Sequence, residues 1–182
     1  AIRRQRQMCI RDSFYYVQLS SIDRPSWPWF RDSQRRLMDA IPHTGMAVSS
    51  DYGDSLDVHP KNKRPIGERL AHWALNRTYD KKQVVPSGPL FRSVDFREDA
   101  AYVSFDYADG LHTADGRPIR EFEIAETEGV YYPAKAEVVG NQVKVYSDRV
   151  KHPCHVRYAW RPFTRANLVN SQSLPASTFR SR

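Results

Sequence analysis

At 182 residues, with 40 % hydrophobic and 12 % aromatic side chains, the chain has enough apolar mass to pack one ordinary domain or two small ones, and its composition is not that of a disordered protein. Lys plus Arg exceed Asp plus Glu by 28 − 21 = 7, a balance that raises nucleic acid as a partner. Residues 1–13 hold Arg3, Arg4, Arg6 and Arg11 against Asp12, so 4 − 1 = 3 of that charge sits there and 7 − 3 = 4 is spread over the other 169 residues. Nucleic-acid binding is set aside on that distribution, and a membrane span is set aside because no apolar run approaches about 18 residues.

The first stretch, AIRRQRQMCIRDS, has no apolar h-region and so no signal-peptide anatomy. It resembles the string produced when sequencing-adapter DNA is translated, and residues 1–13 are read as non-native, with the native amino terminus missing. Cys9 lies in that piece and Cys154 in a strand-like segment, which gives no disulfide framework.

From Phe14 the pattern is that of an α/β layer. FYYVQLS reads as a buried strand. PSWPWFRDSQRRLMDAI predicts a helix with Phe30, Leu37, Met38 and Ile41 on the core face and Arg31, Asp32, Arg35 and Arg36 mostly opposite, stopped by Pro42. TGMAVSS is a second short strand. NKRPIGERLAHWALNRTY is a second helix with Ile66, Leu70, Trp73 and Ala74 at core spacing and Pro65 tolerated in its first turn. Residues 14–82 are therefore assigned to an α/β layer on parallel strands.

Residues 83–89, inside the turn-rich DKKQVVPSGP, read as a linker. After it LFRSVDF, AAYVSFDYA, IREFEIAE, VYYPAKAEVV, NQVKVYSD and CHVRYAW alternate with period two and are separated by Asp109-Gly110, Asp115-Gly116, Glu128-Gly129 and Gly140-Asn141. This predicts a small antiparallel β-sandwich over residues 90–165. Residues 166–182 have little period and are expected to form an irregular tail over the surface.

The chemistry concentrates in YGDSLDVHPKNK, residues 52–63, between the second strand and the second helix. A histidine after a strand of an α/β sheet sits on the edge where such folds build their sites. If His59 takes a proton from a hydroxyl nucleophile, a carboxylate must orient its ring, and Asp57 and Asp54 are both within reach. The bland alternative is a histidine that caps the helix beside two turn-forming aspartates. Residues 53–56 spell GDSL, a string that names an esterase group, but Ser55 shares one short loop with His59. Four residues leave little freedom to set a hydroxyl against the imidazole and also build an oxyanion hole. Ser55 is not assigned as nucleophile. His152, Cys154 and His155 would alternate across a strand, which disfavours a zinc site, and no Gly-rich phosphate loop is present.

Taken together, FYYVQLS, HTGMAVSSDYGDSLDVHPKNKRPIGERLAHWAL, SGPLF, FEIAETEGVYYPAKAEV, VRYAW and NLVNSQSLPAS resemble the carboxyl-terminal part of the sialate O-acetylesterase family, which belongs to the SGNH-type hydrolases. The family has DIHP where this chain has DVHP. The resemblance implies that residues 14–82 are the end of a flavodoxin-like SGNH catalytic layer, followed by the β-sandwich. It implies that His59 is the catalytic base with Asp57 as its orienter, and that the serine and oxyanion donors belong to a part of the enzyme absent here. It further implies hydrolysis of acetyl esters on sialic acids or other acetylated glycans, no metal or organic cofactor, and a secreted or periplasmic enzyme. A non-catalytic glycan-binding or subunit fragment is the alternative.

Overall fold

The computed structural model describes residues 13–181. Two short strands, β1 (Phe14–Val17) and β2 (Thr44–Ala47), pair in parallel with Phe14 opposite Thr44 and Val17 opposite Ala47. Parallel neighbours need a crossover, and helix α1 (Trp27–Ala40) supplies it, with proline tolerated in its first turn. A second helix, α2 (Arg64–Trp73), continues into a π-helical turn over Ala74–Thr78 and packs on β2. Ile66 and Trp73 are buried as their spacing predicts, and Leu70 and Ala74 are half-buried. The Trp73 indole N–H donates to the Met46 carbonyl at 2.9 Å. Gly45 is required beneath it, because a Cβ there would lie 2.5 Å from the indole ring.

This strand pair is one βαβ unit, the parallel α/β arrangement expected over 14–82, but the described residues do not form a flavodoxin-like layer, whose end is expected there. Two strands with one crossover cannot be doubly wound, and the rest of the sheet content is antiparallel.

One four-stranded sheet has the order β3 (Leu90–Arg97), β4 (Ala100–Asp106), β9 (Gln142–Tyr146), β8 (Lys135–Val139). The other runs β12 (Phe179–Arg180), β10 (His155–Tyr158), β6 (Phe122–Ala125), β7 (Tyr132–Pro133). Strands β5 (His112–Thr113) and β11 (Leu168–Val169) pair separately. Every pairing in these sheets is antiparallel. Alternate residues of β4, β9 and β10 point inward, so Val103, Phe105, Val143, Val145, Val156 and Tyr158 share one core with Phe122, Ile124 and Phe179. The β8–β9 hairpin closes through Gly140 and Asn141, and Gly140 has φ 60°, the left-handed first position that this two-residue turn needs.

Two expectations are corrected. Helix α1 is largely inverted: Pro28, Arg31, Asp32 and Arg35 are buried, whereas Phe30, Leu37 and Ile41 are 54, 43 and 48 % exposed, and of the expected core face Met38 is half-buried against the Met46–Trp73 cluster. The polar face can be buried because its groups are satisfied. Asp32 accepts from Arg35 and Arg36, and Arg31 donates to acceptors of the β region. The described part of the segment, residues 166–181, is not a surface tail either. Between Asn167 and Ser181 only residues 171–173 are exposed and Arg180 is half-buried. Its irregular backbone tolerates burial because side chains satisfy it: Asn170 donates to the Ser87 and Tyr107 carbonyls and accepts from the Gln172 and Leu174 N–H groups, and the Leu168 N–H donates to the Tyr158 hydroxyl.

Candidate active site at the carboxyl ends of the parallel strands

Past β2 the chain runs buried through Val48 and Ser49, makes a 3-10 turn over Ser50–Tyr52, and emerges as an exposed loop before α2. Three side chains fold the loop on itself. Asp54 Oδ1 accepts the Leu56 N–H at 2.9 Å, Asp57 Oδ1 the His59 N–H at 2.8 Å, and Asn62 Oδ1 the Arg64 N–H at 3.3 Å, each two residues ahead. Asp57 Oδ1 also lies 3.0 Å from His59 Nδ1. The carboxylate thus holds the histidine by backbone and ring together, while Asp54 is engaged by Leu56. The His59 backbone N–H, and then its ring, keep the Asp57 carboxyl below its usual value of 3.8.

An ionised carboxylate only accepts, so in the neutral ring the Asp57 contact places the proton on Nδ1 and leaves the Nε2 lone pair free. That is the tautomer a general base requires. The ring lines a cleft of about 370 Å³ with Tyr52, Gly53, Asp57, Lys61 and Asn62. Its side chain is 81 % exposed and that of Asp57 53 %. A larger cavity, about 470 Å³, opens at the opposite ends of the strands against Tyr15, His43, Thr44 and Trp73. Size alone does not make it the site, since the acid–base geometry is at the smaller cleft. Among the described residues no three His, Cys, Asp or Glu side chains converge as metal ligands.

The loop is braced from beneath by serines that the sequence pattern does not mark. Ser21 Oγ donates to the Ser50 carbonyl at 2.8 Å and accepts the Thr164 N–H at 3.4 Å, while Ser20 and Ser49 hydroxyls meet at 2.8 Å. The Asp23 N–H reaches the Ser55 carbonyl at 3.2 Å. The segment after β1 therefore touches both the loop and the β region. Gly53 is packed against it so tightly that a Cβ would lie 2.2 Å from the Ser21 carbonyl oxygen. Gly53→Ala is expected to push the loop off this seat, with a loss of about 1–3 kcal/mol, read by thermal unfolding together with a shift of the His59 amide resonance.

No protein-family model matches the chain, and no curated protein matches it. A solved structure does. The chain shares 36 % identity, with a TM-score of 0.87 over 93 % of its own length, with a protein described as a novel carbohydrate acetylesterase from Xanthomonas citri. It spans 41 % of the length of that protein.

Proposed function

We propose that this chain carries the general base of a serine-type carbohydrate O-acetylesterase, with His59 as the base and Asp57 as its orienter. The observation that carries the reading is the Asp57–His59 pair, Oδ1 to Nδ1 at 3.0 Å, on the loop that leaves the carboxyl end of a parallel strand. The likeness to the Xanthomonas citri acetylesterase supports it from outside the site. In the reaction a serine hydroxyl, supplied with the oxyanion donors by a part of the enzyme outside this chain, gives its proton to His59 Nε2 as its oxygen attacks the acetyl carbonyl. The imidazolium returns that proton to the departing sugar oxygen, and water then hydrolyses the acetyl-enzyme by the same path. Because the ring is largely exposed here, the remaining part of the enzyme also has to cover it and exclude water.

Acetylated sialic acids are the proposed substrates, on the motifs that resemble sialate O-acetylesterases; other acetylated glycans are the competing choice within the same chemistry. A graft decides both points. Residues 14–181 replacing the matched segment of the Xanthomonas citri esterase should give a folded enzyme that hydrolyses 4-nitrophenyl acetate. A folded graft whose activity is indifferent to His59→Ala rules out this role for the loop. A graft with a kcat/KM on acetylated xylan equal to or above that on O-acetylated sialic acid rules out the sialate assignment and leaves the esterase standing.

A further inference from the structure

The three turns described above are local: each spans two residues and shapes the loop without fixing how it is aimed at the rest of the site. One side chain joins the loop's two ends. Arg69, on α2 just past the loop's exit, reaches back to the loop's entry. Its Nη1 donates to the Val48 carbonyl at 2.6 Å and to Asp51 Oδ1 at 2.7 Å, and its Nη2 to Asp51 Oδ2 at 2.6 Å. The guanidinium carbon lies 5.2 Å from the centroid of the Tyr52 ring, and Tyr52 lines the His59 cleft. The Arg69 side chain is only 11 % exposed.

We propose that Arg69 is a positioning residue for the general base, acting through Asp51 and Tyr52 as a clasp that closes the loop of residues 53–63. The inference rests on His59 being that base. A bidentate guanidinium fixes the carboxylate in distance and angle, and stacking on the ring fixes a third direction. A lysine ammonium supplies neither the fork nor the stack. With the clasp open, α2 still packs on β2 through Trp73, but the direct tie from α2 to the loop's entry at Val48 and Asp51 is lost. Asp57 and His59 can keep their mutual contact while the pair as a whole swings away from the nucleophile. A misplacement of about 1 Å can cost on the order of 100-fold in rate.

The test reads loop order directly in the 182-residue chain, by ¹⁵N relaxation of the Asp57 and His59 amides in Arg69→Lys and Arg69→Met. Order parameters near about 0.85 in the parent should fall toward about 0.6 in both variants, while those of β4 and β9 stay put. Unchanged values at Asp57 and His59 overturn the proposal and leave Arg69 a stabilising residue only. If Arg69→Met does not fold, Asp51→Asn weakens the same clasp from its other side and must lower the same two order parameters. In the graft enzyme Arg69→Lys should lower kcat at least about tenfold per folded molecule, with KM within about twofold and the pH profile unchanged in shape. A loss confined to the amount of folded enzyme counts against positioning. An inactive graft would remove the esterase reading, and the relaxation data would still decide whether Arg69 orders the loop.

Discussion

His59→Ala in the graft enzyme is expected to lower kcat by on the order of 10³- to 10⁴-fold, because it deletes the imidazole at the cleft and with it the proton path in both half-reactions. Asp57→Asn should cost between about tenfold and 10⁴-fold. The amide can donate to Nδ1, which favours the tautomer with its proton on Nε2, where the base needs a lone pair. Asp54→Asn should be mild, since Asp54 serves the Leu56 N–H, whose acceptor an asparagine carbonyl can replace. Ser55→Ala should leave the rate alone. Steady-state kinetics on 4-nitrophenyl acetate measure all four, and an Asp54→Asn more damaging than Asp57→Asn would reassign the orienter. The sign of the acid dependence follows from the depressed Asp57 carboxyl. A carboxylate whose folded pKa is lowered holds its partner fully above its ordinary pKa and loses it as the pH falls through the depressed one. The Asp57–His59 contact should therefore survive to below the usual aspartate range, and ¹³C titration of the Asp57 carboxyl checks this.

How much of this was legible beforehand varied with how local the cause was. The hairpins of the β region were readable because a period-two pattern and a glycine with left-handed φ are properties of a few adjacent residues. Strands β5, β11 and β12 were not, since two residues each carry no period and their pairing is decided by partners about 20 to 60 residues away. The histidine and its two candidate aspartates were visible as a cluster, and geometry separated them, with Asp57 on the ring and Asp54 on Leu56. Arg69 and Ser21 were illegible. Arg69 finds Asp51 across 18 positions and Ser21 finds Thr164 across 143, distances at which spacing says nothing. Helix α1 misled for a related reason. Its apolar stripe is real, but which face is buried depended on carbonyls from another part of the chain meeting the arginine face.

That inversion sets the largest expected effect on stability. Arg31 is 0 % exposed, and its guanidinium donates from Nε to Thr178 Oγ1 at 3.0 Å, from Nη1 to the Pro162 carbonyl at 2.9 Å, and from Nη2 to the Ala159 carbonyl at 3.0 Å and the Arg161 carbonyl. Burial lowers its pKa to about 10, partly opposed by the negative charge of Glu121, so at neutral pH it is a buried cation. Three of the four acceptors are backbone carbonyls. Ala159, in the left-handed region at φ 52°, marks the bend that turns this segment toward the helix. Arg31→Met fills much of the volume and donates to none of these groups; the Ala159 carbonyl keeps the Thr178 hydroxyl at 3.4 Å, and the others lose the guanidinium. Each unsatisfied buried acceptor costs about 1–3 kcal/mol, and partial relaxation toward water brings the expected total to about 3–5 kcal/mol. Arg31→Lys should lie between, since one ammonium cannot span acceptors set around a planar fork. Denaturant unfolding of the 182-residue chain measures the loss. An Arg31→Met variant within about 1 kcal/mol of the parent would mean that the carbonyls of 159–162 find other donors, and that α1 is held to the β region by its remaining contacts.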